Sequence, residues 1–119
     1  MAPSQIQIAT SSLQRLLKEE ASYYKEQEQQ EARIQKLEKQ DPATSADSDG
    51  NQAFLLKQER RALDETKAVI PALRERITSA REKLESLLDT ASTDEERNTA
   101  FDVLKAAKEA QKDDPIAGQ

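Results

Sequence analysis

Residues 56–87 read LKQERRALDETKAVIPALRERITSAREKLESL, and this stretch decides the fold. Leu56, Leu63, Ile70, Ile77 and Leu84 recur every seven residues without a slip. Thr66, Leu73, Ala80 and Leu87 supply the second row of the same seam. A strict seven-residue apolar repeat marks a long helix that packs its seam against other helices. Pro71 stands in the middle of the repeat. Proline lacks the amide donor and crowds the preceding turn, at a cost of about 3 kcal/mol in a helix interior. The stretch therefore predicts one continuous helix, over residues 52–90, kinked at Pro71.

Outward from this helix, the flanking sequence supplies two more. Ser11 followed by Gln14 fits a capping box, so a first helix is expected over residues 12–40. Its stripe runs through Leu13, Leu16, Leu17, Tyr24, Ile34 and Leu37, with a polar gap at Gln27, Gln30 and Glu31. Pro42 disfavours helical geometry at Asp41 and ends the helix. Thr93 followed by Glu96 is a second capping box, with Asp94 and Glu95 at the positive helix end. It opens a third, shorter helix over residues 94–112, whose expected stripe is Phe101 and Leu104 with Ala100, Val103 and Ala107. Residues 1–11 read as an N-terminal arm in which Ile6 and Ile8 alternate with polar residues. Residues 113–119, with Pro115 and Gly118, read as a disordered tail.

Short connectors between three helices make neighbours antiparallel. The expected fold is all-α: an elongated antiparallel three-helix bundle, up-down-up, forming a single domain over residues 12–112. Composition agrees. Hydrophobic residues make up 35% of the 119-residue chain and charged residues 34%, which suits thin stripes along helices rather than a thick core. The short third helix leaves part of the long pair without a third partner.

Function classes narrow by the same reading. The chain has no cysteine and no histidine, so thiol chemistry, disulfides and the commonest metal ligand and general base are missing. No glycine-rich phosphate loop or nucleophile elbow is present. Glu19, Glu20, Glu26, Glu28 and Glu31 read as a solvated helix face rather than an acid–base pair. Asp47, Asp49 and Asn51 resemble the start of a calcium loop, but Gln52 and Gln58 stand where that loop needs glycine and glutamate. No apolar run reaches the roughly 18 residues that suggest a membrane span, and no secretory signal is recognisable. Net charge is −5, and six cations face six anions over residues 12–40, so no basic stripe points to nucleic acid. Neither an enzyme, a metal nor a cofactor is expected. Arg60 with Asp64, Arg61 with Glu65, and Arg81 with Glu85 are spaced to pair along the second helix. Tyr24 fits the seam, which leaves the adjacent Tyr23 as a candidate partner contact.

The ordered set Gln5-Ile6-x-Ile8-x-Thr10, Arg15-Leu16, Lys18-Glu19, Tyr24, Lys25-Glu26, Gln30-Glu31 and Ile34 continues into Leu63-x-Glu65-Thr66-Lys67, Ile70-Pro71, Arg76, Ala80 and Leu84. In order and spacing it resembles the tubulin-folding cofactor A (tubulin-specific chaperone A) family across most of the chain. The resemblance implies a cytoplasmic chaperone of the microtubule cytoskeleton. Such a protein binds β-tubulin after chaperonin release and passes it toward αβ-heterodimer assembly, indirectly with other tubulin-folding cofactors. It leaves monomer and homodimer both open. Outward-pointing residues that match the family are the expected contacts: Arg15, Lys18, Glu19, Lys25, Glu26, Glu31, Glu65, Lys67 and Arg76, with Tyr23 beside them and Pro71 as a shaping residue. For each charged residue the plain alternative is a solubilising surface position, for Tyr23 a place wrapped on the bundle edge, and for Pro71 a kink that merely curves the helix around its neighbours. The competing function is a generic coiled-coil assembly or vesicle-tethering module, against which the polar gap at residues 27–31 argues.

Overall fold

A computed structural model describes residues 2–39 and 51–112. These residues form α1 (Gln5–Lys39), α2 (Asn51–Leu87), a short 3-10 turn (Leu88–Thr90) and α3 (Asp94–Lys112). Strands are absent among the described residues, as the seven-residue repeat predicts. The connector at residues 41–50, with its calcium-like aspartates, and the expected tail at residues 113–119 lie outside the described residues.

The N-terminal arm is corrected. Helix α1 starts at Gln5 because the working capping box is Ser4 with Gln7, not Ser11 with Gln14. The Gln7 amide donates to Ser4 Oγ at 3.2 Å, and the Ser4 amide donates back to Gln7 Oε1 at 2.9 Å. Two orphan donors of the first turn are thereby satisfied together. Within the helix Ile6 is buried while Ile8 is 53% exposed, so the two isoleucines do not share a face.

Helix α3 keeps half of its expected box. The Glu96 amide donates to Thr93 Oγ1 at 3.1 Å, but the Glu96 carboxylate accepts from the Ser92 amide at 3.2 Å. Asp94, Glu95 and Glu96 stand together in the first turn, where the helix dipole favours anions. Helix α2 runs through Pro71 as one continuous helix.

The chain divides into two compact units, one comprising Met1–Glu20 with Leu73–Gln119, the other Ala21–Ala72. The first joins parts of all three helices around an apolar core. Ile6, Ala9 and Leu13 come from α1, Leu73, Ile77 and Leu84 from α2, and Ala100, Val103, Leu104 and Ala107 from α3. Helices α2 and α3 run antiparallel here, tied where Gln111 Nε2 donates to Thr78 Oγ1 at 3.1 Å and Arg81 Nη1 donates to Gln111 Oε1. Ser4 Oγ meets Glu96 Oε1 at 3.3 Å, so α1 and α3 start side by side. This is the expected up-down-up order. Phe101 departs from its expected place in the stripe and is 51% exposed. Ala100, Leu104 and Ala107, spaced by four and three, form the buried face instead.

The second unit contains only α1 and α2 segments among the described residues. Ile34 and Ile70 are its buried apolar side chains, and Leu37, Leu56 and Leu63 are half-buried. Antiparallel pairing is marked by Arg33 Nε to Glu59 Oε1 at 3.1 Å and Arg60 Nη2 to Glu38 Oε1 at 2.8 Å. Gln52 Nε2 donates to the Leu37 carbonyl at 2.6 Å. Of the expected ion pairs along α2, Arg81 with Glu85 forms at 3.6 Å. Arg60 pairs instead across to Glu38 of α1, a charge-assisted bond.

Candidate partner-binding surface

The described residues offer helix surfaces. No group of three or more His, Cys, Asp or Glu residues among them could hold a metal ion. No described helix is long and apolar enough to cross a membrane. One open groove of the three-helix unit is lined by hydroxyls and carboxylates, including Thr10, Ser11, Thr93 and Glu96. Thr10 is already satisfied there, since its Oγ1 donates to the Ile6 carbonyl at 2.7 Å.

Four of the expected contact residues lie in the three-helix unit. Arg15 and Lys18 are exposed, and Glu19 is half-buried. Their spacing of three and four makes them neighbours on one face of α1. Arg76 is exposed on α2. The other six lie in the two-helix unit. Lys25, Glu26, Glu65 and Lys67 are exposed, while Tyr23 and Glu31 are half-buried. Tyr23 and Glu26, three apart, share a face of α1. Glu65 and Lys67, two apart, leave α2 in different directions and form no single patch. Pro71 is exposed, with its ring on the surface of α2.

Two carboxylates depart from the solvated face expected of them. Glu31 does not point outward: it lies seven residues after Tyr24 and three before Ile34, in the phase of the seam, and accepts from Gln27 Nε2 at 3.3 Å. Glu20 is only 5% exposed, because it follows Leu13 by seven residues on the buried side of α1. The signal that could have found it is this spacing, masked by the run of charges around it. The tyrosines do not divide into one seam and one surface residue; both are half-buried.

Comparison with known proteins agrees with this architecture. The family model for tubulin binding cofactor A matches residues 1–111. Tubulin-specific chaperone A of Saccharomyces cerevisiae is 36% identical over 109 residues, covering 92% of this chain and 95% of the yeast protein. The Bos taurus protein of the same name is 32% identical over 92 residues, covering 77% of each chain. Among solved structures, Rbl2p, a β-tubulin binding post-chaperonin cofactor, matches with a TM-score of 0.72 and 33% identity, over 90% of this chain and 97% of that one. A helical chain with an apolar seam, a proline inside its second helix and no catalytic constellation in its sequence thus belongs to the tubulin binding cofactor A family.

Proposed function

We propose that this chain captures β-tubulin after its release from the chaperonin, holds it in a folding-competent state, and passes it toward αβ-heterodimer assembly. The observation that carries the reading is the likeness to a solved β-tubulin binding post-chaperonin cofactor over 90% of this chain at 33% identity. The work is done by binding alone, without catalysis or a cofactor, in the cytoplasm beside the microtubule cytoskeleton. Other tubulin-folding cofactors would receive the client afterwards.

Helix surfaces suit this task. A holding protein needs wide contact of mixed polarity, strong enough to shield the client and weak enough to release it. Arg15, Lys18 and Glu19 on one face of α1, and Tyr23, Lys25 and Glu26 further along it, offer ion pairs and an aromatic body. Glu65 and Lys67, which leave α2 in different directions, and Arg76 in the three-helix unit are separate candidate contacts, with Pro71 as a shaping residue. Glu31, tied to Gln27, is the weakest of these candidates. By mass action, binding only the unpaired subunit would buffer its free concentration.

The test is direct. Purified protein mixed with β-tubulin should give a one-to-one complex by size-exclusion chromatography with light scattering, and should leave α-tubulin free. Equal capture of α-tubulin, or enrichment of coiled-coil trafficking proteins in place of tubulin, would reject the reading.

A further inference from the structure

Aromatic residues make up 3% of this chain, so a packed core would be expected to consume them. Instead both phenylalanines are on the surface, Phe54 at 59% exposure and Phe101 at 51%. Phe54 opens an outward stripe of α2. Lys57 and Arg61 follow it by three and seven residues, one and two turns along the same face, and both are exposed. Leu55, beside Phe54, is 37% exposed and widens the apolar end of the stripe.

Neither Lys57 nor Arg61 has an ion-pair partner among the described residues; the carboxylates of Asp64 and Glu65 stand further along the same face. The carboxylate lying between the two cations in sequence, Glu59, is engaged by Arg33, and the neighbouring Arg60 is engaged by Glu38. Arg61 does not pair with Glu65, nor does Lys57 pair with any described carboxylate. A chain of net charge −5 has here gathered two cations around an exposed aromatic ring.

We propose that Phe54, Lys57 and Arg61 form a docking face for a segment of β-tubulin that presents carboxylates beside an apolar side chain. The proposal rests on β-tubulin being the client. Aromatic and arginine side chains are the residues that most often carry binding energy at protein interfaces, and charge complementarity sets orientation and on-rate. Helix α3 carries a related stripe, Phe101 with Lys105 and Lys108, all exposed. The α2 face is the stronger candidate. Its second cation is an arginine, whose planar fork binds a carboxylate in bidentate fashion, and Leu55 enlarges its apolar anchor.

The experiment compares capture of purified β-tubulin by the full chain, by Phe54→Ser, by the pair Lys57→Glu and Arg61→Glu, and by Phe101→Ser. All four positions are exposed, so circular dichroism should report unchanged helicity. The Phe54 variant and the charge-reversed variant should each bind at least about tenfold more weakly. The charge-reversed variant should also lose the salt dependence that the unmodified chain shows. Capture within about twofold of wild type by both variants would overturn the proposal. So would loss in Phe101→Ser with retention in Phe54→Ser, which would move the contact to α3. A wild-type chain that captures no β-tubulin would overturn the function itself, and that outcome is read without any variant.

Discussion

Gln30 is 3% exposed, and its side-chain carbonyl oxygen has no hydrogen-bond partner among the described residues. The buried threonines solve the same problem locally: Thr10 donates to the Ile6 carbonyl and Thr66 to the Ala62 carbonyl at 3.0 Å. A glutamine amide is too long for that backward bond and must find a partner across the seam. Leaving such an acceptor dry costs roughly 1–3 kcal/mol. Gln30→Met, close in shape and without the amide, should therefore raise stability by about 1–3 kcal/mol, read as a higher urea midpoint at unchanged slope. A lowered midpoint would show that the amide is satisfied in solution. Ile77 is the opposite case, fully buried in an apolar core. Ile77→Ala should cost about 2–5 kcal/mol in the same measurement, through lost transfer energy and a cavity.

At the scale of the element, Ser4 marks where a helix begins, and Pro71 stands where a helix lacks one backbone donor. Ser4→Ala removes the acceptor for the Gln7 amide and should cost about 0.5–2 kcal/mol. Ser11→Ala, in the box that sequence alone favoured, should change stability little, and an equal loss at both positions would contradict the observed cap. Pro71→Ala restores a donor to the Lys67 carbonyl and removes the ring that crowds it. The melting temperature should rise, by an amount reflecting up to about 3 kcal/mol, and a fall would show that Pro71 relieves a strain rather than creating one. The seven-residue repeat made Leu73, Ile77 and Leu84 legible as core. The same repeat holds Leu56 and Leu63, which end half-buried. Periodicity says which side of a helix is apolar, but not how many helices arrive to cover it. Phe101 lies outside the expected stripe because the phase of α3 is set by the small residues Ala100 and Ala107. The candidate surface contacts are least legible, since exposed charges obey no period, and Phe54 lies outside the repeat altogether.

Across the whole molecule, apolar burial is unevenly distributed. The three-helix unit holds Ile6, Leu13, Leu73, Ile77, Leu84, Val103 and Leu104 out of water, drawn from three helices. The described part of the two-helix unit buries Ile34 and Ile70, and fills the rest of its inner side with Gln30, Thr66 and half-exposed leucines. Its cross-links include the hydrogen bond from Gln52 to the Leu37 carbonyl and two ion pairs with partly exposed partners, Arg33 with Glu59 and Arg60 with Glu38, and such pairs contribute about 0–1 kcal/mol each. Local opening energies follow buried apolar contact more closely than they follow helix content. Amide hydrogens of residues 21–39 and 51–72 should therefore exchange at least about tenfold faster than those of residues 73–87 and 97–110, although all are helical. Hydrogen exchange read by mass spectrometry at neutral pH checks this peptide by peptide. Gln30→Met should slow the fast set and leave the slow set unchanged. If the client docks on this half, saturating β-tubulin should protect it preferentially, because binding adds the apolar cover that the unit lacks. Uniform protection of both sets in the free chain would show that α1 and α2 open as whole helices, and would remove the uneven core as the source of the difference.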